Sequence, residues 1–437
     1  MNRRNLIKSG FYCALSSGIL GCKAKSQYGD NQKIKYIEEI FDVIVCGGGP
    51  AGIASAISAA RNGAKTCLIE YQGCLGGIWT SGLLGNILDY KGKDGIMKEI
   101  MEQLEKSDAQ IYAQIYDPEY LKLLVEELCI DAGVHIRLHT RVVGAEVENK
   151  RIKSIDTESC TGRERWFAKC FIDATGNGDL AAYAGCNYDL GHPVSGKTQP
   201  MSLMGIVCGI NRKDLEGVFI SGYGSNPKNK ENLRLEIEKS GFTPSYAIPT
   251  LFAFRHDIMV LMANHEYDVS VTDAQQLTDA TINARKEVHK IVNGLRSIGG
   301  IWKDIRLVTT GGQIGIREGR RIKGYYTLTK DDMIKGSEFD DAVCKATYIV
   351  DIHSLDYDQQ GYSTDGIVVK PYDIPLRSLI AKDVDGLMMV GRCISGDFYA
   401  HASYRVSGNA VSTGEAAGLI SATAAKENKC PHEIKWN

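Results

Sequence analysis

One stretch near the start of the chain restricts its fold more than any other. Asp42-Val43-Ile44-Val45-Cys46 is a short, nearly unbroken apolar run, the pattern of a strand covered on both faces. Gly47-Gly48-Gly49-Pro50-Ala51-Gly52 follows at once, and an alanine-rich helical pattern then runs to Arg61 and stops at Gly63. A second strand, Thr66-Cys67-Leu68-Ile69, ends at Glu70. Each of these residues has a mechanical part in binding a dinucleotide. Gly47 permits a tight turn, Gly49 lets the backbone approach a pyrophosphate, and Gly52 lets the helix close on the strand. Pro50 and Ala51 open the helix, whose free N-terminal amides face the phosphates. Glu70 stands where a carboxylate can accept both ribose hydroxyls of an adenosine half.

The flanking sequence decides which dinucleotide. Gly73-Cys74-Leu75-Gly76-Gly77-Ile78-Trp79-Thr80-Ser81-Gly82 resembles the double-glycine segment by which enzymes of the glutathione-reductase-like superfamily wrap FAD. In that segment Gly76, Gly77 and Thr80 are candidate cofactor contacts. Cys170-Phe171-Ile172-Asp173-Ala174-Thr175-Gly176 resembles the strand and Ala-Thr-Gly turn of the same enzymes, which makes Ala174 and Gly176 candidates. Short alternating runs between Arg141 and Ile172 suggest a small antiparallel layer before that turn, and Val143 there is a further candidate. Near the end, Gly386-Leu387-Met388-Met389-Val390-Gly391 reads as a strand running into a glycine, with Ser395-Gly396-Asp397 after it. In the superfamily this region places a polar group on the flavin ribityl chain, so Gly391 and Asp397 join the list.

Three later segments narrow the resemblance: Gly311 to Leu328, Asp351-Ile352-His353 with Pro375-Leu376-Arg377-Ser378-Leu379, and Ala400-His401-Ala402-Ser403-Tyr404-Arg405. Together they resemble the FAD-dependent oxidoreductase family, related to fumarate reductase and succinate dehydrogenase flavoproteins. The likeness spans about residues 41 to 425. It implies an α/β fold: a Rossmann-type, glutathione-reductase-like FAD-binding domain assembled from the N- and C-terminal segments, with an inserted α+β substrate domain. The expected division is 38–190 and 311–437 for the FAD-binding domain and 191–310 for the insert. It also implies a dissociable FAD, a small-molecule substrate, and an electron donor or acceptor that the sequence does not name. Thr310-Gly311-Gly312-Gln313-Ile314-Gly315 lacks a first glycine and a following helix, so a second nucleotide domain is not expected.

A flavin carries hydride chemistry itself, and the protein must orient the substrate, move a proton and tune the ring. The segment after Gly391 leads into a helical pattern over Ser407 to Ala425, whose positive end would point at the flavin. His401 and Arg405 stand four apart just before it, similar to the His and Arg that fumarate-reductase relatives present to a substrate carboxylate. His353 and Arg377 are the second pair of catalytic candidates. Arg317, Arg320 and Arg321 form a cationic cluster with Glu318 among them, which suggests at least one internal ion pair. The function implied is hydride transfer between FAD and a small hydroxylated or carboxylated substrate. Reduction of an activated alkene and a non-enzymatic FAD-binding role are the alternatives.

Other classes are disfavoured by composition. A net charge of −2 offers no basic field for nucleic acid. No Cys-x-x-Cys, His-Glu-x-x-His or Ser-His-Asp pattern occurs, so neither a metal site nor hydrolase chemistry is expected. Residues 1–22 read as an export signal: Arg3-Arg4-Asn5-Leu6-Ile7-Lys8 resembles a twin-arginine motif. Ile19-Leu20-Gly21-Cys22 resembles a lipoprotein cleavage box, with Cys22 the residue that would carry a lipid anchor. Residues 23–37 read as a polar tether, and the expected place of the protein is the periplasm or cell surface.

Overall fold

A computed structural model of the chain describes residues 34–436 apart from 113, 222–225 and 359–360. The export and lipid-anchor readings on Arg3, Arg4 and Cys22 lie outside the described residues. Strand β1 (Lys35–Cys46) begins inside the stretch read as a tether. Its first six residues include exposed Tyr36 and Ile40, while Phe41 and Val43 to Cys46 are buried. Helix α1 (Pro50–Arg61) follows with proline at its first turn, then β2 (Thr66–Ile69), fully buried. Asp117 caps α2 (Pro118–Asp131) by accepting the amides of Glu119 and Tyr120, which frees the proline to open the helix.

A seven-stranded sheet organises the larger half. It comprises β1, β2, β3 (His135–Arg137), β4 (Arg141–Glu148), β5 (Arg151–Ser159), β6 (Gly162–Asp173) and, from far along the chain, β11 (Leu387–Met389). The order is β3-β2-β1-β6-β5-β4, with β11 also on β6. Strand β6 is the hinge of this topology. One edge runs parallel to β1, with Val43 opposite Cys170 and Cys46 opposite Asp173. Its other edge pairs first with antiparallel β5, Ile155 opposite Trp166, and then with parallel β11, Met388 opposite Ile172. The last segment of the chain thus closes the sheet that the first segment opened.

Between β6 and β11 a second sheet forms from β7 (Gly205–Cys208), β8 (Thr250–Ala253), β9 (Ile258–Met262) and β10 (Arg306–Thr310), all antiparallel, in the order β8-β9-β7-β10. Arg255-His256-Asp257 lie in the turn that joins β8 and β9 into a hairpin. Helix α3 (Ala274–Ile298) covers one face through Ile291, Val292 and Leu295. Its cap is Asp273, whose carboxylate accepts the amides of Gln275 and Gln276.

Helix α4 (Phe398–Tyr404) and the long α5 (Ser407–Glu427) end the fold. Helix α5 lies directly on α1. A β-carbon at Gly414 would overlap the carbonyl of Ala51, and one at Gly418 would overlap that of Ser55. Two glycines four apart therefore let the backbones touch where α1 begins.

Candidate active site

The C-terminal ends of β1, β2, β6 and β11 open into a cavity of about 1010 Å³. Gly47, Gly49, Pro50 and Ala51 line its floor. Gly47 has φ +106°, and any side chain on it would strike the Ala174 carbonyl. At Gly49 a β-carbon would meet nothing within 4 Å, because it would project into the space a pyrophosphate needs. Gly52 does not line the cavity; a β-carbon there would overlap the Gly47 carbonyl, so its part is close helix–strand packing. Glu70 borders the cavity and is buried, accepting the amides of Gly48 at 2.6 Å and Gln72 at 2.7 Å. Burial pushes its carboxyl pKa up against those hydrogen bonds.

The remaining cofactor candidates separate into lining and supporting residues. Gly77, Ala174, Gly176 and Gly391 line the cavity. Gly76 stands just behind, left-handed at φ +107° before a tight turn, and the buried Thr80 hydroxyl donates to the Leu75 carbonyl at 2.6 Å. In β4 it is Arg141 and Val142 that line the cavity, while Val143 does not. The β4–β5 ladder shifts register between Val142 and Gly144, where the strand leaves the cavity. Asp397 is displaced further: it caps α4, accepting the amides of Ala400 and Lys330 at 2.7 Å each, and does not reach the cavity. The α5 N-terminus does reach it, through Val406, Ser407 and Ala410. Among the described residues of the wall, Ser407 Oγ, Asn86 Oδ1 and the Nε atoms of Arg320 and Arg405 are buried without a protein partner. Open space at Gly49, a carboxylate at Glu70, unpartnered polar atoms and a helix N-terminus together fit FAD.

At the other end of the cavity the catalytic candidates part company. His353 and Arg405 line it; His401 and Arg377 do not. His401 sits on α4, wholly buried against the Tyr404 ring, and neither ring nitrogen makes a well-formed hydrogen bond. Burial, then Arg321, Arg405 and Arg392, hold its pKa well below the usual histidine value. It is a core residue: α4 packs the short His401 ring into the interior, and only the longer Arg405 side chain, one turn on at the end of the helix, reaches the cavity. Arg377 is about half exposed and forks onto Asp341 with contacts of 2.9 and 3.1 Å, a surface ion pair.

Around His353 the chain assembles a charged cluster. His353 Nε2 faces Asp351 Oδ2 at 3.5 Å, and its Nδ1 lies 3.2 Å from His265 Nε2. The Tyr246 ring packs on His265 with centroids 4.0 Å apart. Burial, then Arg317, lower the His353 pKa to about 4, so its imidazole is neutral. Against the upward pull of burial, His353, Arg405 and Arg317 hold Asp351 below the usual carboxylate range. Arg405 directs Nη1 and Nη2 onto the carbonyls of Asp351 at 2.8 Å and Arg317 at 3.3 Å and onto Gln199 Oε1 at 3.3 Å, while its buried Nε has no protein partner.

Arg317 behaves otherwise. Its Nη1 is anchored by the Pro200 carbonyl at 2.6 Å and Ser202 Oγ at 2.9 Å, and no carboxylate among the described residues is within ion-pair distance. Burial, then the like charge of Arg405, draw its pKa down to about 10. The other two arginines of the cluster are paired, Arg320 with Asp179 at 2.8 Å and Arg321 with buried Glu318. Arg317 was legible as part of a cationic cluster, but nothing in the spacing distinguished it from its neighbours. His265 and Lys230, which also belongs to the cavity wall, carried no motif at all.

The thiamine thiazole synthase of Methanococcus maripaludis is 27% identical to the chain over 199 residues, 42% of this chain and 76% of that protein. Ferredoxin–NADP reductase 1 of Bacillus licheniformis is 31% identical over 126 residues, 27% of this chain and 33% of its own length. Among solved structures, a geranylgeranyl bacteriochlorophyll reductase-like protein from Thermoplasma acidophilum superposes with a TM-score of 0.45 at 14% identity, covering 89% of this chain and 78% of that one. A flavin-dependent brominase variant superposes with a TM-score of 0.49 at 11% identity, covering 91% and 82%. Residues 42–437 match the family model described as FAD dependent oxidoreductase, and the chain belongs to that family, with FAD as its cofactor.

Proposed function

We propose that this FAD-dependent oxidoreductase transfers a hydride between the flavin and a small substrate whose anionic group is held by Arg317. The observation that supports it most is a half-buried guanidinium on the cavity wall, anchored on one nitrogen and with no carboxylate among the described residues within ion-pair distance. A guanidinium held in this way keeps donors for an anionic ligand. When bound, FAD supplies the two-electron acceptor or donor. The protein's own part is to place and to move a proton. Arg317 fixes the anionic group, and Arg405 braces the Asp351 carbonyl so that the carboxylate and His353 keep their orientation. His353, neutral and on the cavity wall, exchanges a proton with the substrate, and Asp351, 3.5 Å from Nε2, stabilises the imidazolium while it lasts. The cell envelope as the place of this activity is part of the proposal and rests on Arg3-Arg4 and Cys22 alone.

The test is an anaerobic screen of 2-hydroxy carboxylates and their amides against the yellow holoprotein, following loss of flavin absorbance. Arg317→Gln keeps its FAD and loses about 2–4 kcal/mol of transition-state binding, on the order of 30- to 1000-fold in kcat/KM. His353→Asn loses on the order of 10²–10⁴ in turnover. Bleaching by none of the acids, or equal bleaching by acid and amide, contradicts the reading.

A further inference from the structure

The inserted sheet gives the cavity a second character. Side chains two apart on a strand share a face. In β8 and β9 the facing set is Thr250 with Met262 and Phe252 with Val260, and Met204 lies one residue before β7, beside that rung. Met204, Phe252 and Val260 belong to one apolar cluster with Met262 packed on it, and Met204, Phe252 and Met262 line the cavity. Leu277 of α3 and Ile314, neighbours in another apolar cluster, extend the same wall. Two hydroxyls that also border it are spent on backbone: Thr250 donates to Ile248 O at 3.1 Å and Thr281 to Leu277 O at 2.7 Å.

This wall is continuous with the cationic site. Ser202, whose hydroxyl accepts from Arg317, is two residues from Met204 on the same extended stretch and lines the same cavity. Ser202 also pairs with Gly315, beside Ile314 and two residues before Arg317. The nucleotide cradle comes from the first and last segments of the chain, whereas this wall comes from the insert together with Ile314 just after it. An anionic group on Arg317 therefore has an apolar surface beside it that the cradle does not supply.

We infer that the substrate is an amphiphilic monocarboxylate, with its carboxylate on Arg317 and an apolar chain or ring against Met204, Phe252, Met262, Leu277 and Ile314. The inference rests on the anion-binding reading of Arg317 and adds the chemistry of the rest of the ligand. It makes the insert the part of the molecule that selects substrate, since one apolar wall discriminates by length and shape rather than by hydrogen bonds.

The experiment is equilibrium binding of straight-chain carboxylates, acetate through octanoate, to the oxidised holoprotein, read by perturbation of the flavin spectrum and by calorimetry. Affinity is expected to rise roughly fourfold per added methylene until the wall is filled. Met262→Gln and Leu277→Gln, each with full flavin content, should flatten that rise while leaving acetate binding within about twofold. Two independent variants guard against one that fails to fold. Equal affinity for acetate and octanoate, or an undiminished rise in both variants, overturns the inference. Octanamide binding as tightly as octanoate would instead overturn the anionic reading on which it rests.

Discussion

Gly49 is the residue where the cofactor assignment is most exposed to test. Its φ is −76°, an ordinary value, and a side chain there meets only open cavity. Gly49→Val should therefore fold as well as the wild type and purify without FAD, checked by flavin absorbance and thermal unfolding on one preparation. Stoichiometric FAD in that variant would contradict the assignment. His401 and Arg377 make the opposite kind of prediction. His401→Ala should cost about 2–4 kcal/mol of stability through the cavity it leaves, without moving the pH dependence of flavin reduction. Arg377→Ala removes a half-exposed ion pair worth less than about 1 kcal/mol and should leave FAD content and turnover alone. The sequence could show Gly47, Gly49 and Glu70 because their roles depend on local spacing. It could not rank His401 against His353, because which side of a helical turn faces the cavity is decided by packing from elsewhere in the chain. Asp397 illustrates the same limit. An Asp three residues before an alanine amide is as good a helix cap as a ribityl partner.

At the scale of elements, the short strand Ile352–His353 carries the most pH-sensitive part of the structure. His353 faces Asp351, His265, Arg317 and Arg405, and the pKa values of both imidazoles are lowered, first by burial. In the unfolded chain they titrate near the ordinary value of 6.5. Between that value and about 4 the unfolded state binds more protons than the folded one, so stability is full above about pH 6.5 and is lost as pH falls. For His353 the loss is about 3 kcal/mol across that window. Urea midpoints from pH 7.5 to 4.5 should fall, and His353→Gln should fall less steeply; parallel slopes would show that the histidine is not held neutral. Elements built on local pattern were legible before the fold was known: the buried part of β1, α1, β2 and the helical run of α5. What escaped was long-range. That β1 starts at Lys35 follows from pairing with β6, with Lys35 opposite Glu164, and nothing polar in residues 23–37 announces it.

At the scale of the whole molecule, both ends of the chain are needed for one cradle. Strand β11 adds to β6, and α5 lies against α1 with Gly414 on Ala51. The general architecture was readable because glycine turns and apolar strands occur in a fixed order, whereas the meeting of Arg317 with Asp351 and His353 depends on two segments distant in sequence finding one cavity. Among the described residues no helix is long and apolar enough to cross a membrane. The proposed envelope location is tested separately: Arg3→Lys with Arg4→Lys should leave the protein in the cytoplasmic fraction, and normal export of that variant would contradict it. The most direct test of the central claim is anaerobic flavin bleaching by the most active 2-hydroxy carboxylate, measured on wild type and Arg317→Gln at equal flavin content. The account predicts rapid bleaching of the wild type by the acid and not by its amide, with the variant slower on the order of 30-fold or more. A variant that bleaches at the wild-type rate, or an amide that serves as well as the acid, would contradict it.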